Sequence, residues 1–283
     1  MGKLQKGCVV LMNSDDRFYV AAVQMNSQDD VEKNLKNAGK LIDSAVAGGA
    51  ALVALPEYSS YLSDHKVVEH AESLEGEIVT FFRKKAKETG VYLHCGSFIE
   101  KSDDVTRAYN TSVLIDPGGE IVTSYRKIHL FDVNLPGQAS IMESKNFKAG
   151  QDIIVAETDL GPFGFALCYD LRFPELFRAL VDQGARLVFV PAAFTLYTGK
   201  DHWEVLLRAR AVENQVYIVA PAQFGVHPDN KTCFGASMII DPWGTVIARA
   251  SEGTGHGLAP IDWSLLEKFR QRMPSLKHRT LKI

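Results

Sequence analysis

The sequence predicts a single α/β domain with mixed sheets, and three observations support that prediction. Strand-like and helix-like segments alternate along most of the 283 residues, which is the pattern of an α/β domain. Residues 50–55 (AALVAL) are apolar throughout, as expected of a strand that is covered on both faces. Turn sequences at residues 116–119 (DPGG) and 241–244 (DPWG) predict two hairpins, which add antiparallel pairs to the sheets.

The first half of the chain begins with a predicted strand at residues 18–25. Ser27 is predicted to cap a helix with apolar residues at i, i+3 and i+4 spacing, and Gly48-Gly49 ends it. These apolar residues are Val31, Leu35, Ala38, Leu41, Ile42 and Ala45. A second helix is predicted at residues 77–89, followed by a strand at residues 91–98.

The second half of the chain places Lys127 and Cys168 directly after predicted strands. Lys127 lies just past a hairpin strand at residues 120–125, and an apolar run at residues 163–167 ends before a helix that Pro174 opens. Residues 129–150 show no regular pattern, and long ordered loops in compact enzymes often line sites. The remaining predicted elements are strands at residues 186–190 and 216–220 and helices at residues 202–214 and 264–272.

Composition limits the location and the partners of the protein. Net charge is −3 without a basic block, so nucleic acid and anionic membranes are not expected partners. No stretch has the length of a membrane span or of a signal-peptide core, which predicts a cytoplasmic protein. Residues 1–16 are predicted to be an N-terminal extension, and residues 17–283 a single domain.

The cysteines and histidines do not form a recognisable metal site. Four cysteines, Cys8, Cys95, Cys168 and Cys233, lack CxxC spacing, which favours reduced thiols over a disulfide framework or a zinc site. The eight histidines show no HExxH pattern. We therefore expect no metal.

Cys168 is the strongest candidate for a catalytic residue. It stands on a predicted strand-to-helix turn, where outward amide groups favour a thiolate and can hold an oxyanion. Glu57 and Lys127 each follow another predicted strand, and reactive groups in open α/β sheets collect beyond the carboxyl ends of strands. The alternatives are an inert core thiol at Cys168, a surface carboxylate or strand-end cap at Glu57, and an ordinary exposed lysine at Lys127.

Three segments in this order resemble the signature blocks of the nitrilase superfamily. They are Pro56-Glu57, residues 125–131 (YRKIHLF) and residues 168–175 (CYDLRFPE). The similarity extends from about Phe18 to the C-terminus. It implies a four-layer αββα sandwich with two mixed sheets, assembled as a homodimer or higher homo-oligomer. It also implies hydrolysis of a carbon–nitrogen bond by a Glu-Lys-Cys triad.

The resemblance assigns a role to each member of the triad. Glu57 would take the proton of Cys168 and later return protons to the leaving group. Lys127 and the backbone N–H of Tyr169 would stabilise the tetrahedral oxyanion. The reaction would pass through a thioester on Cys168 and would need no metal and no cofactor.

Four further residues receive implied roles. Glu143 would orient the substrate or Lys127, Arg172 would hold a substrate carboxylate, and Phe194 would pack on the bound substrate. The simpler interpretations are a surface Glu143, an Arg172 that braces its own turn by pairing with Asp170 or Glu175, and a core phenylalanine. His129 raises the alternative of a Cys-His mechanism, but its place in the Arg-Lys-Ile-His block favours a supporting position behind the catalytic residues.

Within the superfamily the chain is similar to the amidase branch that holds deaminated glutathione amidases and ω-amidases. This implies hydrolysis of the terminal carboxamide of a small α-keto acid, with the former group favoured. An ω-amidase acting on α-ketoglutaramate and an N-carbamoyl amide hydrolase are alternatives, whereas Tyr169-Asp170 argues against a true nitrilase. Residues 58–61 (YSSY), Asp201 and Ala236 depart from the expected pattern. A thiol redox sensor or scaffold on the same fold is the non-enzyme alternative.

Overall fold

The computed structural model describes residues 17–134 and 141–281. The predicted extension at residues 1–16, including Cys8, lies outside the described residues. The helices are α1 (Val31–Ala47), α2 (Glu77–Thr89), α3 (Pro174–Asp182), α4 (Leu196–Asn214) and α5 (Trp263–Arg272). No helix in the described ranges combines the length and the apolar composition needed to cross a bilayer.

The strands are short, and most of them belong to two sheets. In chain order they are β1 (Arg17–Met25), β2 (Leu52–Ala54), β3 (Tyr92–His94), β4 (Phe98–Glu100), β5 (Ala108–Ile115), β6 (Ile121–Arg126), β7 (Asp132–Val133), β8 (Ile141–Met142), β9 (Phe147–Lys148), β10 (Val155–Ala156), β11 (Phe163–Phe165), β12 (Leu187–Phe189), β13 (Tyr217–Ala220), β14 (Ala222–Val226), β15 (Thr232–Phe234), β16 (Met238–Ile240), β17 (Val246–Arg249) and β18 (Gly255–Asp262).

Both large sheets are mixed, as the two predicted hairpins require. The first has ten strands, seven of them in the order β15-β14-β1-β2-β3-β5-β4. In it β1 runs parallel to β2 and β14, and the predicted hairpin joins β5 to β6. The second has six strands in the order β10-β11-β12-β13-β16-β17. Its parallel centre is β11-β12-β13, and the second predicted hairpin joins β16 to β17.

The sheets stack with helices on their outer faces. Ile42 of α1 and Phe82 of α2 are fully buried in one cluster with Val53 of the first sheet. Helices α3 and α4 pack on the second sheet. Between the sheets, Phe18 of β1 meets Phe163 of β11 with ring centroids 6.4 Å apart, and each such buried side chain contributes about 1.5–3 kcal/mol. The layer order is therefore αββα, which confirms the predicted fold.

Two predicted boundaries are wrong because local caps decide them. Ser27 does not cap α1; the Asp30 side chain accepts a hydrogen bond from the Lys33 N–H at 3.0 Å and caps it instead. Helix α4 begins at Leu196, six residues earlier than predicted, because the Thr195 hydroxyl accepts from the Thr198 N–H.

Two further predictions are wrong because tertiary contacts decide them. The strand predicted at residues 91–98 is split into β3 and β4 by Gly96, whose φ is +70°. A Cβ on Gly96 would lie 1.9 Å from the Pro56 carbonyl oxygen, so only glycine permits this approach. The described part of residues 129–150 is not a continuous loop, because β7, β8 and β9 lie within it.

His94 is a fully buried histidine between the two sheets. Its ring lies 5.6 Å from the ring of Phe165 and 4.4 Å from that of Phe189. Its Nδ1 accepts a hydrogen bond from the Gly96 N–H at 3.2 Å, and its Nε2 has no hydrogen-bond partner among the described residues. Burial lowers the pKa of His94 from 6.5 to about 3. The folded protein therefore holds this imidazole neutral.

We expect His94→Asn to make the protein less sensitive to acid. Below pH 6.5 the unfolded state binds a proton at His94 that the folded state excludes until about pH 3. The free energy of unfolding therefore falls by about 1.4 kcal/mol per pH unit as the pH drops through this window. Asparagine keeps an acceptor for Gly96 but does not titrate. Urea unfolding at pH 7, 6 and 5 should give a shallower decline for the variant, and parallel declines would contradict the prediction.

Candidate active site

Glu57 lies beyond the carboxyl end of β2, a central strand of the first sheet. Its main-chain carbonyl accepts a hydrogen bond from Gln223 Nε2 at 2.8 Å. The side chain is buried, and its Oε2 accepts from the Ala193 N–H at 2.8 Å. Ala193 follows β12 of the second sheet, so the carboxylate of Glu57 joins the two sheets.

Lys127 lies directly after β6 and beside Asn110 of β5. The Lys127 N–H donates to the Asn110 carbonyl at 2.9 Å, and the Lys127 carbonyl accepts from the Gly150 N–H at 2.7 Å. These bonds fix the backbone on both sides of the residue, and the side chain is buried.

Cys168 lies between β11 and α3, on the turn that the sequence predicted. Its N–H donates to the Pro191 carbonyl at 2.9 Å, and its φ is +48°. Positive φ is uncommon for a residue with a side chain and is strained. A 3₁₀ turn, Cys168–Arg172, begins at this residue, so the first N–H groups of the turn have no partner within it.

The carboxylates of Glu57 and Glu143 both contact the amine of Lys127. Lys127 Nζ lies 3.0 Å from Glu57 Oε1 and 3.0 and 2.9 Å from the two oxygens of Glu143. Asn110 Nδ2 donates to Glu57 Oε1 at 2.9 Å and to Glu143 Oε1 at 3.3 Å. The four side chains form a buried group with two negative charges and one positive charge.

The electrostatics keep Lys127 charged. Burial lowers its pKa, but the charges of Glu143 and Glu57 and the hydrogen bond to Glu143 raise it by more, and the result is a pKa well above the ordinary 10.5. A permanent ammonium is therefore held next to the thiol.

The thiol itself is protonated at rest, although the turn alone would favour a thiolate. Burial raises the pKa of Cys168 well above its ordinary value, and the charge and hydrogen bonding of Glu57 raise it further. The charge of Lys127 and the N–H of Ala193 lower it without reversing the sign. Attack by sulfur therefore requires transfer of its proton, and Glu57 is the adjacent acceptor.

A pocket of about 220 Å³, including its open mouth, gives access to Cys168. Its lining residues are Phe131, Cys168, Tyr169, Arg172, Ala193, Phe194, Thr195 and Thr198. The pocket thus includes three of the residues that the sequence predicted to meet substrate, Tyr169, Arg172 and Phe194. Asp201 and Ala236 do not line it.

Arg172 presents its guanidinium to this pocket. The group lies 5.2 Å from the ring centre of Phe194 and 5.8 Å from that of Tyr169. Its Nη1 lies 3.3 Å from His202 Nδ1, and no ion pair with a carboxylate occurs in the described ranges. Arg172 therefore does not brace its turn through Asp170 or Glu175.

His129 lies behind the turn and is held by Asp170. Its Nδ1 is 2.7 Å from Asp170 Oδ1, and its ring stacks on Phe173 at 3.6 Å between centroids. Asp170 is fully buried and also accepts from Tyr125 Oη at 2.6 Å and from the Leu167 N–H at 2.8 Å. This network stabilises the Cys168 turn, and His129 itself does not line the pocket.

Several residues of the site had no signal in the one-dimensional pattern. Asn110 donates to Glu57 and Glu143, and Tyr58 donates to Glu143. Arg210 donates to the Leu171 carbonyl from Nε at 3.1 Å and from Nη2 at 2.8 Å. Asn110 is fully buried in β5, but this strand also carries Thr111 and Ser112, so no local pattern distinguishes the asparagine whose buried amide needs the carboxylates as partners. In the described ranges no group of three His, Cys, Asp or Glu side chains could hold a metal ion.

Comparison with known proteins gives consistent matches over nearly the whole chain. The carbon-nitrogen hydrolase family model matches residues 19–271. A deaminated glutathione amidase from Synechocystis sp. is 44% identical over 266 residues, covering 93% of this chain and 98% of the relative. The deaminated glutathione amidase of Homo sapiens is 41% identical, covering 92% of this chain and 81% of the relative.

Solved structures agree with the fold. The crystal structure of the Caenorhabditis elegans NitFhit protein has a TM-score of 0.88 at 38% identity. The match covers 94% of this chain, which spans 65% of that longer protein. A Saccharomyces cerevisiae member of branch 10 of the nitrilase superfamily has a TM-score of 0.85 at 31% identity, covering 94% of this chain and 97% of that structure.

Proposed function

The chain belongs to the carbon-nitrogen hydrolase family of the nitrilase superfamily and hydrolyses carbon–nitrogen bonds other than peptide bonds, and from this premise we propose an amidase with Glu57, Lys127 and Cys168 as its catalytic residues. The observation that supports this most strongly is the buried contact of Lys127 Nζ with Glu57 at 3.0 Å, next to the thiol of Cys168.

Acylation begins when Glu57 takes the thiol proton and the sulfur of Cys168 attacks the amide carbon. The C–S bond forms as the carbonyl π electrons move to oxygen. Lys127 and the N–H of Tyr169 stabilise this oxyanion. The C–N bond then breaks, and Glu57 returns the proton to the departing nitrogen, which leaves a thioester on Cys168.

Deacylation reverses the roles of the same groups. Glu57 is now a carboxylate again, and it takes a proton from water as the oxygen of that water molecule attacks the thioester carbon. The C–S bond breaks, the carboxylic acid leaves, and the proton on Glu57 returns to the sulfur. Each cycle consumes one amide and one water and restores the protonated thiol, and every proton transfer uses a group present in the site.

For the substrate we propose the amide of a small α-keto acid, with deaminated glutathione as the first candidate. The relatives at 41% and 44% identity carry that substrate in their names. A carboxylate on the substrate would pair with Arg172, since a planar guanidinium binds a carboxylate through two parallel hydrogen bonds. Glutathione has no primary carboxamide, so hydrolysis of its deaminated form would release cysteinylglycine in place of the ammonia expected from a terminal carboxamide.

The proposal is tested by assaying deaminated glutathione, α-ketoglutaramate and an N-carbamoyl amino acid in parallel. The first two substrates both yield α-ketoglutarate, with cysteinylglycine or ammonia as the second product, whereas the third yields carbon dioxide. We expect α-ketoglutarate from the first two and the higher kcat/KM for deaminated glutathione. Carbon dioxide release alone would instead identify a carbamoyl amide hydrolase, and no turnover of any amide would refute the proposal.

We expect Arg172→Met to lower kcat/KM for the anionic amides by about 10- to 100-fold, mainly through KM. Charge-assisted hydrogen bonds of this kind contribute about 1.5–3 kcal/mol, and Arg172 has no competing carboxylate in the described structure. Arg172→Lys keeps the charge but loses the planar pair of donors, so its kcat/KM should lie between those of the wild type and of Arg172→Met. An uncharged primary amide serves as the control, and an equal loss for both kinds of substrate would contradict the assignment.

We also propose a homodimer or higher homo-oligomer in the cytoplasm. Helix α4 supports the assembly, because Leu196, Tyr197, Val205 and Val212 are all about half exposed along it, and large exposed apolar patches commonly mark interfaces. Light scattering after size-exclusion chromatography measures the mass directly, and a monomer at micromolar concentration would contradict this proposal.

A further inference from the structure

Tyr58 directly follows Glu57 in the sequence, and its side chain reaches Glu143, the second carboxylate that contacts Lys127. Its hydroxyl donates to Glu143 Oε1 at 3.0 Å. Burial raises the pKa of Tyr58 well above its ordinary value of 10.0, and the charges of Glu143 and Glu57 raise it further. The phenol is therefore protonated at neutral pH, and it acts towards Glu143 as a hydrogen-bond donor.

The backbone of Tyr58 is held in a strained conformation by several contacts. Its φ is +56°, a value that is unusual for a bulky residue and that persists only where surrounding groups fix it. The Tyr58 N–H donates to Ser97 Oγ at 2.9 Å, and its carbonyl accepts from Gln223 Nε2 at 3.4 Å. The ring lies 6.0 Å from the ring of Phe147. The hydroxyl position is thus set by the fold.

Glu143 is the acceptor for donors from four different residues. Its Oε1 accepts from Tyr58 and from Asn110, at 3.0 and 3.3 Å, and its Oε2 accepts from the Phe131 N–H at 2.7 Å. Both oxygens also accept from Lys127 Nζ. The other donors neutralise part of the negative charge on Glu143, so its attraction for the Lys127 ammonium is weaker. The ammonium can then interact more strongly with Glu57 and with the oxyanion.

We infer that Tyr58 is a positioning residue for the amidase reaction, acting through Glu143 on Lys127. This inference rests on the proposed function. Tyr58 does not line the pocket at Cys168, so its influence on turnover passes through the hydrogen bond to Glu143. Without that bond Glu143 Oε1 would attract Lys127 Nζ more strongly. The Lys127 ammonium would then stabilise both the oxyanion and the thiolate less.

The test is Tyr58→Phe, which removes one oxygen and keeps the ring packed near Phe147. We expect kcat to fall about tenfold, since hydrogen bonds to charged groups are the stronger class, while KM changes less than about twofold. Tyr61→Phe is the matched control: its hydroxyl donates to the His65 carbonyl at 2.8 Å, away from the charged group, and its kcat should equal that of the wild type.

Two further measurements separate positioning from general structural damage. In a Glu143→Gln background, Tyr58→Phe should change kcat by less than about twofold, because the acceptor charge through which it acts is gone. A tenfold loss that persists in that background would overturn the inference, and so would an unchanged kcat or a loss confined to KM in the single variant.

Alkylation of Cys168 by iodoacetamide distinguishes failure of this inference from failure of the proposed function. The reaction needs the thiolate, which Lys127 stabilises, but it needs no amide turnover. We expect Tyr58→Phe to slow alkylation several-fold relative to the wild type and to Tyr61→Phe. Equal rates would overturn the role of Tyr58, whereas a slower rate in a protein that turns over no amide would overturn only the proposed substrate chemistry.

Discussion

Cys168→Ala should abolish amide hydrolysis while leaving the fold intact. The sulfur is the atom that attacks the amide carbon, and no other described thiol adjoins both Glu57 and Lys127. Removing the covalent nucleophile from a hydrolase triad lowers kcat by about 10⁶-fold. Alanine fits the buried position because it only removes an atom. Turnover is measured as α-ketoglutarate formation, and folding by circular dichroism and thermal unfolding.

Cys95→Ala is the matched control for this variant. Cys95 is also a buried free thiol, and burial raises its pKa well above the ordinary value, but it lies in the helix–sheet core formed with α1 and α2. Its loss should leave kcat close to that of the wild type. Measurable turnover by Cys168→Ala, or an equal loss in both variants, would show that Cys168 is not the nucleophile.

The helices illustrate what the sequence could predict about the fold. Helix α2 spans the predicted residues because an apolar stripe runs along it and Gly90, with φ of +68°, ends it. Helix α4 was predicted six residues too short, because its first turn exposes Leu196 and Tyr197 and lacks the amphipathic period. The split between β3 and β4 depends on the approach of Pro56 to Gly96, a contact between distant segments that no local pattern encodes.

The residues of the site also divide into those that could be predicted from the sequence and those that could not. Glu57, Lys127 and Cys168 could be proposed from the sequence because each lies at the end of a predicted strand and within a block that resembles the nitrilase superfamily. Asn110 and Tyr58 could not, because their partners depend on the pairing of β5 with β6 and on a left-handed turn after β2. The pKa of the thiol depends on tertiary contacts in the same way: the turn alone favours a thiolate, whereas burial and then the charge of Glu57 raise the pKa of Cys168.

Lys127→Met should give the largest combined loss of stability and activity. The variant leaves the carboxylates of Glu57 and Glu143 buried without the cation that both contact, at 2% and 7% side-chain exposure. Removing one partner of a buried ion pair costs about 3–5 kcal/mol. The oxyanion also loses its cationic partner, which lowers kcat by about 10²- to 10³-fold or more. Urea unfolding at pH 7 and steady-state kinetics measure the two effects.

The pH dependence and a surface control make this prediction specific. In the wild type the folded-state pKa of Lys127 lies well above 10.5, so its stabilisation is fully present below pH 10.5 and is lost only as the pH rises through the folded value. In Lys127→Met, protonation of one carboxylate relieves the repulsion, so the deficit should shrink as the pH is lowered from 7 to 5. Lys148→Met removes a lysine that pairs with the exposed Asp103, and it should change neither stability nor kcat appreciably. A pH-independent deficit in Lys127→Met would mean that lost packing, and not the unpaired carboxylates, destabilises the variant.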